Sequence, residues 1–242
     1  MDNLIVEIGN TALKAAWATG GTLGKTLRYQ GERTLDFIRS ITEKQLPNVL
    51  VLASVRPLSG EERTALEGEC RHLLVLDPGN CPFAERYDLP DYLGYDRVAS
   101  LLAARYLFKG KACTVFDFGT TLKVDFLSAE GRYTGGNISL GCRMRFKALA
   151  RYSEYKKELN IPAQVAAQGT SVESSIEAGV ISGIMFEIDG YVRNFPAGII
   201  LFTGGDAMYF AKRMKQSVFV VNNLVLMGLA LMTEEYVEKY ME

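Results

Sequence analysis

Residues 4–16 read LIVEIGNTALKAA, and the fold is decided by how this stretch is parsed. Apolar and β-branched residues run into Gly9-Asn10-Thr11, and apolar spacing resumes at Leu13, Ala15 and Trp17, which predicts strand, two-residue-type turn, strand. The hairpin has a polar tip. Gly9 lacks a Cβ and lets an anion approach the backbone, Asn10 and Thr11 offer side-chain donors, Lys14 brings a positive charge, and Glu7 offers a carboxylate to a hydrated metal ion. Such a hairpin is either an ordinary turn or a phosphate grip built without a helix, and the rest of the chain decides between the two.

The decisive observation is that the pattern occurs twice. Residues 114–116 form an apolar strand, Asp117-Phe118-Gly119-Thr120-Thr121 is an acid followed by a glycine-containing turn, and residues 122–127 read as a second strand. Each copy opens a run of three strands followed by helices, which predicts a duplicated α/β domain with a nucleotide between its halves, divided at residues 1–110 and 111–242.

Between the hairpins, a third strand is expected over residues 22–30, a helix over 34–43 capped by Thr34, a buried strand over 49–55, a helix over 60–71 and a strand over 73–76. Residues 81–92, with two prolines and no periodicity, read as an irregular loop. Gly94-Tyr95-Asp96-Arg97 then precedes an Ala- and Leu-rich helix over 98–108. An Asp and an Arg at a helix start are either a cap with a solvated neighbour or a site for an anionic group. In the second half, a strand over 132–140 contains Gly135-Gly136. A helix follows from Gly141, then a connector over 156–168, a long helix over 171–191, a buried strand over 199–202 ending in Thr203-Gly204-Gly205-Asp206, and a final helix over 223–238. Small residues around Gly179 and Gly183, and the apolar final helix, offer packing surfaces for a second copy or for the interior.

Composition bounds the partners. Lys and Arg number 27 against 28 Asp and Glu, which gives no overall attraction for nucleic acid or an anionic membrane. No apolar run reaches the roughly 18 residues of a membrane span, and Asp2 and Asn3 stand where a signal peptide carries basic residues, so a cytoplasmic, soluble protein is expected. Cys70, Cys81, Cys113 and Cys142 lack metal-ligand spacing and read as buried or incidental thiols, and His72 reads as structural.

Five blocks together resemble the type III pantothenate kinases, within the superfamily of acetate and sugar kinases, Hsp70 and actin: EIGNTALK at 7–14, GYDR at 94–97, DFGTTLKVD at 117–125, GGNISLG at 135–141 and TGGDA at 203–207. The resemblance implies duplicated ribonuclease H-like halves of the actin-like ATPase kind, mixed sheets flanked by helices, with an ATP cleft between the halves. It implies ATP-dependent phosphorylation of the primary hydroxyl of pantothenate, the first step of coenzyme A synthesis, with ATP and Mg2+ and a monovalent cation, K+ or NH4+. In its terms Asp96 is the general base, and Tyr87, Gly94, Tyr95 and Arg97 hold pantothenate together with one of Thr170, Ser171 or Val172. Glu7, Ile8, Gly9, Asn10, Thr11, Ala12, Leu13, Lys14 and Thr120 bind ATP, Asp117 binds the monovalent cation, and the protein is a homodimer.

Three residues depart from the family pattern. Glu7 stands in place of Asp, Leu140 in place of Pro, and Lys123 in place of Thr. The Lys123 ammonium is placed either to replace the monovalent cation or to point to solvent. The rival reading of the whole chain is a catalytically weak relative that binds nucleotide or pantothenate and acts as a regulatory accessory protein.

Overall fold

A computed structural model describes residues 2–78 and 83–241 and divides the chain into two units: Met1–Tyr106 with Asn223–Glu242, and Leu107–Asn222. In the first unit, β1 (Asn3–Ile8) and β2 (Leu13–Thr19) form the opening hairpin, followed by β3 (Thr22–Leu23), β4 (Leu27–Tyr29), α1 (Thr34–Thr42), β5 (Val49–Ser54), α2 (Gly60–Glu67), β6 (His72–Leu76), α3 (Phe83–Arg86) and α4 (Tyr95–Leu107). The described sheet runs β3-β2-β1-β5-β6, with β4 also on β2. β1 and β2 pair antiparallel, whereas β1, β5 and β6 are parallel.

Strand alternation sorts the side chains. Leu4, Val6, Leu13, Ala15, Leu50 and Leu52 face one way and form a core with Ile38 and Ile41 of α1 and Leu66 of α2. The opposite face is covered by α8 (Leu224–Tyr240), which packs on β1, β2, β3 and β5. The sequence division at residue 110 put this helix in the second half; its contacts group residues 223–242 with the first. Nearly continuous apolar character (Leu224, Leu226, Leu229 and Met232 are fully buried) marks the first turns of α8 as core helix.

Local expectations were corrected in three places. The strand expected over 22–30 is broken, because β3 pairs with β2 at Ala18↔Leu23 while β4 pairs at Ala15↔Leu27, a slip of one residue absorbed around Gly24, whose amide bonds to the Trp17 carbonyl at 2.8 Å. Thr34 is the first residue of α1 and not its cap; Arg33 holds that position without a side-chain bond. The segment read as irregular contains the short helix α3, while Cys81 lies outside the described residues. The other three cysteines are buried, free thiols, and burial pushes Cys70 and Cys113 up to about 11 and Cys142 up to about 12. His72 is exposed at the start of β6.

α2 carries a capping box. Ser59 Oγ accepts the Glu62 N–H at 3.1 Å, Glu62 Oε2 accepts the Ser59 N–H at 2.9 Å, and Arg56 pairs with Glu62 at 2.5 Å and 3.0 Å. The Arg56 bond, then the Ser59 amide, hold the Glu62 carboxyl down at about 2. A depressed carboxylate stabilises the fold above its ordinary value, 4.5, and loses that contribution as pH falls toward about 2. Glu62→Ala is therefore expected to be less stable than wild type by about 1 kcal/mol at neutral pH, with the gap closing in acid. Paired denaturation curves across the acid range check this.

The second unit repeats the topology. β7 (Cys113–Phe118), β8 (Thr121–Leu127) and β9 (Tyr133–Leu140) form an antiparallel meander, then come α5 (Cys142–Tyr152), α6 (Val172–Asn194), β10 (Ile199–Gly204), α7 (Ala207–Ala211) and β11 (Phe219–Val220). The order β11-β10-β7-β8-β9 mirrors β6-β5-β1-β2-β3, with β10 and β11 parallel to β7. Its core joins Phe116, Phe118, Leu122 and Val124 to Phe146 of α5, Ile181 and Ile184 of α6, and Phe210 of α7. Phe118 and Phe202 meet edge-on at 4.8 Å. No helix of the described residues is long and apolar enough to cross a membrane.

Candidate active site

The tip of the first hairpin is four residues long, not a two-residue turn. Residues 9–12 join the last ladder pair, Ile8↔Leu13, and the Gly9 N–H donates to the Ala12 carbonyl at 3.1 Å. That bond fixes the loop and leaves Asn10 and Thr11 exposed at its end. Leu13 is buried in the core and anchors the tip, so Ile8, Ala12 and Leu13 offer only backbone polar groups there, while Asn10 and Thr11 add side-chain donors. One ladder step back, Glu7 lies opposite Lys14, with Nζ 3.7 Å from Oε2. The sheet itself brings this acid and this cation together.

The second hairpin is built alike with a shorter tip. The Gly119 N–H donates to the Thr121 carbonyl at 3.1 Å, and Asp117 lies opposite Lys123 with Nζ 3.5 Å from Oδ2. Lys123 therefore turns to Asp117 and not simply to solvent. Thr120 is half-buried at the tip. Gly141 packs against this turn: its N–H donates to the Thr120 carbonyl at 3.0 Å, and a Cβ there would lie 2.1 Å from the Gly119 oxygen.

The third cluster stands at the start of α4. The Gly94 carbonyl accepts the N–H groups of Arg97 at 3.0 Å and Val98 at 3.1 Å, which opens the helix and places Asp96 in its first turn. Asp96 is thus inside the helix, not its cap. Asp96 Oδ1 accepts the Arg97 N–H at 2.9 Å, and a Cβ at Gly94 would lie 2.8 Å from that same oxygen. The glycine clears the space the carboxylate occupies. Arg97 is only 8% exposed, so the reading of a solvated arginine is excluded; Tyr95 is buried beside it.

Tyr87 follows α3, and its hydroxyl donates to Glu235 Oε2 of α8 at 2.6 Å; Arg86 reaches the same oxygen at 3.3 Å, and Arg105 donates to the Tyr87 carbonyl at 2.8 Å. Burial, then the Glu235 bond, holds the phenol protonated far above the usual range. Glu235 is a residue that sequence reasoning missed, since 148 positions separate it from Tyr87 and no local pattern connects the two.

At the start of α6 the three candidates separate. Ser171 is the N-cap, its Oγ accepting the Ser174 N–H at 3.2 Å in a capping box, and Val172 has no polar side-chain atom. Thr170 is exposed and plays no part in that cap through its side chain. Asp206, which the sequence marked only as part of the block at 203–207 and gave no role of its own, has a side chain 15% exposed; burial raises its carboxyl, opposed by Arg143 at 3.9 Å.

Comparison with known proteins gives consistent matches. The family model described as type III pantothenate kinase matches residues 3–194. A type III pantothenate kinase of Phocaeicola vulgatus is 36% identical over 94% of this chain and 96% of its own length. That of Cytophaga hutchinsonii is 33% identical over the same shares. Among solved structures, a Baf family protein from Campylobacter jejuni superposes with a TM-score of 0.63 at 21% identity, covering 97% of this chain and 99% of that one. The ADPNP-bound activator of 2-hydroxyisocaproyl-CoA dehydratase from Clostridium difficile gives 0.60 at 12% identity, covering 100% and 97%. The fold is that of the actin-like ATPases.

Proposed function

The chain belongs to the type III pantothenate kinase family, and from that membership we propose how its residues divide the work of phosphorylating pantothenate. The reaction is transfer of the γ-phosphoryl group of ATP to the primary hydroxyl of pantothenate, the first step of coenzyme A biosynthesis. The observation that carries the division of roles is the Gly94-Asp96-Arg97 arrangement, a carboxylate held at a helix start by a glycine that makes room for it and an amide that orients it.

Asp96 takes the proton of the pantothenate hydroxyl as that oxygen attacks phosphorus, and ADP leaves with the electron pair of the broken bond. No covalent enzyme intermediate is required. Arg97, with its planar donors, binds the pantothenate carboxylate, aided by the Gly94 and Tyr95 backbone, the Tyr87 phenol and the Thr170 hydroxyl. Thr170 is preferred to Ser171, whose Oγ already accepts the Ser174 N–H, and to Val172, which has no polar side-chain atom. The tip amides and side chains of residues 9–11, with Lys14, hold ATP phosphates, and Thr120 does so from the second hairpin.

Among the described residues no three His, Cys, Asp or Glu side chains gather to cage a metal. That suits a magnesium ion carried on ATP with its own waters; Glu7, its Oε2 already 3.7 Å from the Lys14 ammonium, would meet that ion through its water shell and not by direct ligation. When bound, the ion neutralises phosphate charge. Asp117 is placed alike: with the Lys123 ammonium 3.5 Å from Oδ2, its surroundings do not fit a monovalent cation bound directly to the carboxylate.

The assignment of pantothenate as acceptor is tested by comparing kcat/KM for pantothenate, acetate and hexoses with purified protein and Mg-ATP. Pantothenate is expected to exceed the others by several orders of magnitude; a sugar or acetate preferred over pantothenate would overturn it.

The homodimer is supported by the second unit's surface. Leu140, Leu149 and Val172 are 47%, 37% and 61% exposed and line a 740 Å³ cavity with Ile176, and Gly179 opens onto it with no atom within 4 Å of its missing Cβ. Light scattering is expected to give twice the 26.8 kDa chain mass. Cytoplasmic location accords with the substrate, ATP.

A further inference from the structure

Each hairpin carries an acid and a lysine directly opposite one another: Glu7↔Lys14 on β1–β2 and Asp117↔Lys123 on β7–β8. In both, the acid stands two residues before the glycine whose amide closes the tip, Gly9 or Gly119. The two ammonium-carboxylate distances, 3.7 Å and 3.5 Å, are nearly the same. The duplicated topology thus extends to the charges beside the tips, and the second lysine is the counterpart of Lys14.

The surroundings of Lys123 fix its direction. Leu122 and Val124 enter the aromatic core, so alternation puts Lys123 on the opposite face with Asp117 and Asp125. Asp117 is bounded on its other side by β10, where Thr203 is its ladder partner. A Cβ at Gly204, whose φ is +93°, would lie 2.6 Å from Asp117 Oδ1. One carboxylate oxygen therefore lies against the β10 backbone and the other faces the ammonium. The side chains of Lys123 and Asp117 are 21% and 20% exposed, so water screens the pair only in part. A second positive ion on Oδ2 would sit within a few ångströms of Nζ and be repelled by it.

We infer that Lys123 is the second hairpin's own cation: its ammonium supplies, beside Asp117, the positive charge that a bound monovalent ion would otherwise bring to the ATP phosphates. The inference rests on the kinase reading above. It makes Lys123 a positioning and charge-neutralising residue, and the chain indifferent to potassium and ammonium ions.

The test is calorimetric titration of the full chain with the magnesium complex of the ATP analogue AMP-PNP, in potassium chloride and in choline chloride at equal ionic strength. The wild-type Kd is expected to agree within about twofold between the salts, while Lys123→Thr weakens about tenfold in choline and recovers in potassium. A wild-type Kd that tightens tenfold or more in potassium overturns the inference, as does a Lys123→Thr protein indifferent to the salt. The wild-type comparison stands even where the variant does not fold. Phosphorylation rates in the two salts keep this separate from the kinase reading: a rate confined to potassium contradicts Lys123's role alone. Absence of phosphopantothenate in both salts contradicts the kinase assignment, and the binding comparison still decides Lys123.

Discussion

Asp96→Asn lowers kcat for pantothenate phosphorylation by about a hundred- to ten-thousandfold, the range that a positioned general base contributes. Asparagine keeps the shape of the side chain and an oxygen that accepts the Arg97 N–H, now 2.9 Å from Asp96 Oδ1, so α4 starts as before. What it lacks is the capacity to take a proton. The loss therefore falls on kcat, with ATP affinity and melting temperature near wild type. Gly94→Ala is the companion change: its Cβ would lie 2.8 Å from the same oxygen, so the carboxylate must turn away from where Asp96 now holds it. The rate should fall with the carboxylate still present, which separates the position of the base from its identity. An Asp96→Asn protein with wild-type kcat would remove Asp96 from the chemistry.

Gly228→Ala is the second large effect, and its sign is diagnostic. In an unconstrained helix, alanine stabilises relative to glycine by up to about 1 kcal/mol. At position 228 the new Cβ would lie 1.8 Å from the Ala99 carbonyl oxygen and 2.3 Å from its carbon, both backbone atoms of α4 that no rotamer change can clear. α8 must lift from α4, and the expected cost is about 1–3 kcal/mol, equal to several degrees in melting temperature for a chain of this size. Gly190→Ala on α6, where a Cβ meets nothing within 4 Å, serves as the control and should be neutral or stabilising. A Gly228→Ala protein that melts above wild type would contradict the docking of the last helix in the first unit.

Much of this was legible in the residues, and the remainder was hidden for identifiable reasons. The two hairpins could be read because Glu7-Ile8-Gly9-Asn10-Thr11 and Asp117-Phe118-Gly119-Thr120-Thr121 combine strand alternation with a glycine, two local signals in one place. The start of α4 was legible for the same reason: glycine, acid and arginine adjoin an alanine-rich run. The destination of α8 was not, because an apolar helix announces burial without naming the sheet it covers, and chain order pointed to the nearer one. β11 is two residues long and exists by its pairing with β10, which no two-residue pattern can signal. Lys123 was visible as an unusual residue, but its direction depended on the ladder register that sets it opposite Asp117. The bond of Tyr87 to Glu235, across 148 positions, exists only in the folded chain.

The account meets its most direct test in phosphorus NMR of a mixture of purified protein, Mg-ATP and pantothenate, run beside the Asp96→Asn protein. Wild type is expected to convert ATP to ADP with equal growth of one phosphomonoester on the primary hydroxyl of pantothenate, while the variant leaves the spectrum almost unchanged over the same time. ATP left intact by the wild type, or a variant that forms the ester at the same rate, would contradict it.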